Sequence, residues 1–460
     1  MKKQNIPIFL AICLLTALTC LDISAMALAI TPIAHALNIP LGTAQWIIAS
    51  YFITFASIVI IGGRLGDLWG EKNLLLVGML FFIVGSLIGS MAHGLFIIII
   101  ARILQAIGAG IAYPNNMSTL LKTFPQEKHG SVLGIYASVV GLSVAIGPIV
   151  GGLLTHYLSW RWIFLINIPL GLICLITIAI LQKKQPTPVK KSRLDLLGTL
   201  TLTIAIVALI YAIDKLNLIY QQPIIIILLL LISGLAFYLF FFFAKRVRDP
   251  LVNFHLFRHY LFRYGLLQRF LVSCINSMLL FILGIYFIKG LHYSIQTAAF
   301  LYLPYTFFLG IFSPYAGRLV DKVNIHLLLI GAIILFFSGF LLFFFGVNFY
   351  LPLPILIFSL LISGGGYSIL YPGLLTVTMR PIEATDKGVA SGIFFMINLT
   401  GGAAGAAIAG LLLNDNIAIT APQIAHSTAM LALFAMALIF IMLIATIYSC
   451  RALGGTKAAY

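Results

Sequence analysis

Apolar positions along this chain do not alternate with polar ones. They run unbroken for about twenty residues at a time, as in NLLLVGMLFFIVGSLIGSMAHGLFIIII, residues 73–100. Barrel strands would alternate over about 10 residues, whereas about 20 continuous apolar residues cross a hydrocarbon core as a helix. The pattern predicts fourteen spans, near 7–30, 44–63, 74–93, 96–120, 131–154, 161–181, 194–213, 223–244, 263–288, 296–316, 326–346, 351–377, 387–413 and 427–449. An even count puts both termini on one side.

Composition narrows the class. The 460 residues are 62% hydrophobic and 8% charged, with mean hydropathy +1.13. A soluble domain carries roughly 25% charged residues, so most of this surface must face lipid. The first apolar run follows Lys2 and Lys3 as in a signal peptide, but it continues past Ala29 without a small-x-small site and is expected to be a retained span. The five cysteines lie in or beside apolar spans without ligand spacing, and free thiols are expected.

The net charge of +16 would suit nucleic acid on a soluble protein. Here position decides otherwise. Of the 27 Lys and Arg, all but Arg102, Arg161, Lys215 and Lys289 fall on the N-terminal side of the spans or at span ends facing it. They include Arg64, Lys72, KKQPTPVKKSR (183–193) and the run from Lys245 to Arg263. Short basic loops stay in the cytoplasm, so both termini are expected there, in an inner (plasma) membrane, with no nucleic-acid partner.

The chain also repeats. GGRLGDLWG starts at Gly62 and AGRLVDKVN at Ala316, so Arg64 and Arg318, like Asp67 and Asp321, stand 254 residues apart. Gly147 of GPIVGG and Gly401 of GGAAGAA keep the same offset. Two features at one offset argue for two related bundles. The expected organisation is an N-terminal six-helix bundle (1–182), an inserted hairpin with basic loops (183–262) and a C-terminal six-helix bundle with a short tail (263–460).

Candidate chemistry is sparse. Asp22 is alone among eleven acidic residues in falling deep within a span. A charge there costs ~2.5–3.5 kcal/mol on insertion scales, which favours a proton-carrying role over mere filling. Arg102 is the expected partner: at 1.5 Å per residue Asp22 lies ~16 Å and Arg102 ~10 Å from the outer ends of their spans. Gly63, Arg64, Gly66, Asp67 and Gly70 suit a tight turn whose charges meet helix ends across the gap between bundles, with Arg318 and Asp321 as the repeat. Gly141, Gly147, Gly151 and Gly152 allow close helix packing, and Pro148 favours a bend. Tyr51, Asn115, Asn116, Tyr136 and Asn398 are candidate cavity residues. No nucleotide-binding motif, metal-ligand spacing or second catalytic group beside Asp22 is present, so neither an ATP-driven pump nor an enzyme is expected.

Taken together the motifs resemble the major facilitator superfamily, and within it the fourteen-span drug:proton antiporter group. LDISAMALAITPI (21–33), QWIIASYFITFASIVIIGGRLGDLWGEK (45–72), ARILQAIGAG (101–110), GLSVAIGPIVGG (141–152), WRWIFLINIPLG (160–171), DPLVNFHLFR (249–258) and GVASGIFFMINLTGGAAGAAIAG (388–410) are similar to the group's signatures, in its order. Glu71, Leu68, Ala27, Asn398 and Leu399 depart from its usual residues. The resemblance implies two six-helix bundles with an inserted hairpin, proton coupling through Arg102, and an export direction marked by the Gly141–Gly152 motif. With a lone deep carboxylate, it implies antiport of lipophilic, neutral or monocationic small molecules such as drugs. It also implies no cofactor beyond the proton gradient, and a monomer. An exporter of one endogenous metabolite or toxin, or a non-transporting scaffold, would share much of this sequence.

Overall fold

A computed structural model describes residues 6–39, 41–44, 46–181, 195–214, 223–247, 250–252, 254–293, 295–383, 385–413 and 421–454. Lys2, Lys3, the basic run 183–193, Lys215 and Asp415 lie outside them, and so does the part of the topology argument they carry. Within them the chain is helical, with no strand.

The helices are α1 (Ile6–Leu37), α2 (Leu41–Ala44), α3 (Trp46–Trp69), α4 (Glu71–Ser90), α5 (Leu95–Thr123), α6 (His129–Tyr157), α7 (Arg161–Leu165), α8 (Asn167–Leu181), α9 (Leu196–Asp214), α10 (Pro223–Ala244), α11 (Tyr260–Ile285), α12 (Ile295–Lys322), α13 (Ile325–Asn348), α14 (Leu353–Met379), α15 (Lys387–Leu413) and α16 (Ala421–Gly454). Each expected apolar segment falls on a helix, with 161–181 divided between α7 and α8. Among the described residues eleven helical stretches, Arg161–Ile180 counted as one, are long and apolar enough to cross a membrane, and Leu197–Ile213 is a shorter apolar helix.

The helices pack as two groups. In the first, α4 and α3 lie on α5, while α1 lies on α6 and α8. In the second, α13 and α12 lie on α14, α11 on α15, and α16 on α13. The groups meet along two seams, α6 against α12 and α3 against α15. The α9–α10 pair stands outside both and rests through α9 on α3 and α15, so it straddles one seam. Asp195 ties its ends together: one carboxylate oxygen accepts from the Gly198 amide at 2.7 Å, the other from the Leu251 amide at 3.4 Å.

The outward faces are apolar. Phe96, Ile180 and Ile224 are 75%, 74% and 79% exposed, a surface that only lipid covers favourably.

Candidate functional site

Asp22 is fully buried on α1, and Arg102 reaches it from α5. The Arg102 Nη1 donates to Asp22 Oδ2 at 2.5 Å, the direct form of the expected pair. Asp22 Oδ1 accepts from Asn167 Nδ2 at 2.8 Å and Gln105 Nε2 at 3.2 Å. Gln105 also donates to Ser86 Oγ at 2.9 Å and accepts from Arg102 Nη1 at 2.8 Å. The Arg102 Nε donates to the Ile47 carbonyl at 3.3 Å, and the guanidinium lies 4.2 Å over the Tyr51 ring. Three helices thus meet at the carboxylate, and α3 and α4 join the network through Arg102 and Gln105. A buried ion pair survives only when hydrogen bonds also meet its remaining lone pairs and protons, and here Asn167, Gln105 and the Ile47 carbonyl contribute. Asn167, Gln105 and Ser86 were not singled out in the sequence, although Gln105 lies one turn beyond Arg102 on α5. Tyr51, expected to line a cavity, instead faces the cation.

The ion pair is joined to the seam through α6. At Gly151 a side chain would strike the Ala25 carbonyl at 2.5 Å, and at Gly147 it would strike Ser24. These contacts lie within one turn of Asp22. The other face of α6 packs on α12: Gly141 lies against Leu309 and Gly310, Ser138 Oγ donates to the Gly310 carbonyl, and Gly134 abuts Ser313. Gly152 offers its carbonyl to Thr155 Oγ1 at 3.0 Å. The expected bend does not interrupt the helix, since α6 runs through position 148, whose side chain lies outside the described residues.

At the end of the bundles carrying Arg64 and Arg318, two acids cross the seams. Asp67, at the end of α3, accepts the Gly388 amide at 3.0 Å and the Val389 amide at 2.9 Å, capping α15 of the other group. Asp321, at the end of α12, accepts the Gly130 amide at 2.7 Å, the Ser131 amide at 2.8 Å and the Ser131 hydroxyl at 2.5 Å, capping α6. A carboxylate placed on the free amides of a helix N-terminus is favoured by both hydrogen bonding and the helix dipole. Gly63 abuts Gly388, and Gly317 abuts Gly130, so each acid sits beside a backbone-to-backbone contact.

The Major Facilitator Superfamily model matches residues 12–254 and 265–451. The chain belongs to that superfamily. "Multidrug resistance protein 3" of Bacillus subtilis is 29% identical over 299 residues, which cover 65% of this chain and 58% of that protein's length. "Puromycin resistance protein pur8" of Streptomyces alboniger is 30% identical over 326 residues, covering 70% and 64%. The solved structure of the human organic anion transporter MFSD10 superposes with TM-score 0.67 at 14% identity, covering 95% of this chain and all of that one. The XylE proton:xylose symporter gives 0.64 at 13%, covering 95% of each. At those identities the structures establish the fold, and the chain is a membrane transporter of this superfamily.

Other expected residues of this major facilitator protein take different places. Arg64 is half-buried on α3; Arg318 is exposed, with its guanidinium 5.7 Å from the Tyr315 ring. Gly70 adopts φ 86°, in the left-handed region, where the chain turns from α3 into α4. Gly66 packs on Asn115. Asn115 is fully buried and donates to the Gly62 carbonyl at 2.8 Å and the Ile111 carbonyl at 2.7 Å. It clamps α3 to α5, while its Oδ1 has no hydrogen-bond partner among the described residues. Asn116 donates to Thr16 Oγ1 at 3.3 Å and joins α5 to α1. Tyr136 is fully buried near the seam, its hydroxyl without a hydrogen-bond partner among the described residues. Asn398 is half-buried and accepts from Ser273 Oγ through its carbonyl at 2.6 Å.

One charge is corrected. The loop arithmetic put Arg269 at a span end facing the N-terminal side, yet it is 1% exposed inside the second group. Hydropathy alone does not fix depth to within two helical turns.

Proposed function

We propose that this chain is a proton-coupled exporter of lipophilic small molecules, working by alternating access. It would cross the inner membrane fourteen times with both termini cytoplasmic. The observation that carries the reading is the Asp22 carboxylate, a titratable group held at full burial by Arg102, Gln105 and Asn167. Binding a proton removes the charge that Arg102 pairs with. Arg102 then keeps only Gln105, the Ile47 carbonyl and the Tyr51 ring. The change reaches Ser24 and Ala25, against which Gly147 and Gly151 pack, and passes along α6 to α12 at the seam. Protonation would thereby bias which end of the seam is open, the coupling antiport requires. Asp67 and Asp321 would latch the cytoplasmic end while the cavity faces outward. No cofactor is needed beyond the proton gradient, and a single copy holds every residue invoked.

Relatives named for multidrug and puromycin resistance support drugs among the cargo. The expectation of a neutral or monocationic cargo rested on Asp22 as the lone deep carboxylate. With the carboxylate fully engaged inside the first group, the geometry supports a lipophilic cargo whose charge is sensed elsewhere.

The test is substrate-induced proton release from acid-loaded everted vesicles, using a panel of lipophilic cations, neutral compounds and acids. Wild type is expected to release protons with some members of the panel, and Asp22→Asn with none. Equal release by both would move the coupling site away from Asp22. No release by either would remove antiport.

A further inference from the structure

Among the described residues Arg269 is the second fully buried guanidinium, and unlike Arg102 it pairs with no carboxylate there. It makes no ion pair among the described residues, and its Nε and Nη1 have no hydrogen-bond partner there. Its guanidinium lies 4.4 Å from the Tyr371 ring on α14 and 5.2 Å from the Phe394 ring on α15. Tyr371 also hydrogen-bonds the guanidinium, but the aromatic faces leave Nε and Nη1 unmet, and an unmet buried donor is costly. A core that needed only bulk here would be better served by an apolar side chain.

The surroundings suit a ligand. Tyr371 meets Tyr367 edge-on at 6.2 Å, and Tyr367 stacks on Tyr305 at 5.8 Å. The Tyr305 hydroxyl donates to Asn276 Oδ1 at 2.8 Å, and Asn276 lies two turns beyond Arg269 on α11. The charge therefore sits at one edge of a tyrosine-walled patch. It also sits next to the seam. Phe395, the neighbour of Phe394, meets Tyr113 of the first group edge-on at 4.7 Å. Movement that parts Tyr113 from Phe395 would uncover the face on which Arg269 stands.

We propose that Arg269, with Tyr371 and Tyr305, forms an anion-recognition site in the second bundle, and that the preferred cargo is a lipophilic monoanion such as an aromatic carboxylate. This rests on the reading that cargo passes between the bundles. The unmet Nε and Nη1 donors of this buried cation call for acceptor oxygens that carry negative charge, as a carboxylate does, and the tyrosine rings take the apolar body. A lipophilic cation would meet like charge at the same place.

The experiment measures equilibrium binding of radiolabelled 4-biphenylcarboxylate to the purified full-length protein in nanodiscs, with 4-biphenylcarboxamide and 4-biphenylmethylamine as matched competitors. A hydrogen-bonded charge pair predicts acid binding about 10–100-fold tighter than the amide. Arg269→Gln should bring acid and amide within about threefold of one another, and Arg269→Lys should keep part of the preference. Equal binding of acid and amide by wild type, tightest binding of the amine, or an undiminished preference in Arg269→Gln would each overturn the proposal. Should Arg269→Gln fail to fold, the wild-type series and Arg269→Lys decide. Arg269-dependent binding of the acid without proton release from proteoliposomes would leave the anion site standing and remove antiport. Proton release driven by amines, with no acid preference, would do the reverse.

Discussion

Removing one member of the Asp22–Arg102 pair strands the other charge among apolar helices, and such losses cost about 3–5 kcal/mol. Arg102→Met should therefore lower thermal stability in detergent sharply, and so should Asp22→Asn. The double variant should recover much of the loss, because neither charge remains to be stranded. Strictly additive losses in a thermal-shift series would show that the two residues do not act as a pair. At this scale the sequence was informative where a residue was chemically out of place. Asp22 and Arg102 stood out as charges in apolar runs, and their depths agreed. Asn167 and Gln105 complete the same site but are ordinary polar residues; only the one-turn spacing of Gln105 from Arg102 hints at it, and nothing in the spacing of Asn167 marks it as facing Asp22. The contacts of Asn115 were hidden for a related reason. The span around it is apolar on nearly every face, so no stripe tells which side meets a neighbouring helix.

The latching elements make a sharper prediction. A side chain at Gly63 would land on the Gly388 backbone, and one at Gly317 on Gly130. Gly63→Leu or Gly317→Leu should hold that end of the molecule apart. Spin labels at Trp69→Cys and Val323→Cys, both exposed, would report the separation in a background lacking the native cysteines. The distance distribution should move to longer values in either leucine variant. Asp67→Asn or Asp321→Asn should shift it less, since a charge at a helix N-terminus contributes about 0.3–1 kcal/mol. An unchanged distribution in the leucine variants would mean that these glycines do not govern closure. The repeat at a 254-residue offset foretold that Asp67 and Asp321 would act alike. Their receiving partners were hidden because Gly130 and Gly388 stand 258 residues apart, so the second half of each contact slips out of register with the first.

Across the whole molecule, the α9–α10 pair is the part least bound to the rest. On α10 only Ile226, Ser233, Ala236, Phe240 and Ala244 are buried. The pair touches the bundles mainly through α9, including Trp46 against Tyr211 at 6.0 Å. Replacing residues 196–244 with a flexible linker should therefore leave a protein that still elutes as one species and unfolds at a modestly lower temperature. Aggregation on size-exclusion chromatography would show instead that the pair is needed to close the α3–α15 seam. The apolar runs alone disclosed that the chain is built of long apolar helices, this hairpin among them. They could not disclose that it lies across both bundles, because its outward face and its seam-facing face are equally apolar.

The two crossed acids carry a consequence of their own. Each half of the chain supplies one carboxylate and receives the other on a helix end, so the contact is made twice in the same sense. That is the arrangement of an isologous dimer, in which one patch meets its own copy about a twofold axis. A half-length chain bearing both the loop acid and the receiving helix could close on a second copy of itself with these same two contacts. A chain bearing only one of them could not. The interlock is thus a symmetric assembly contact, written out twice in a single polypeptide.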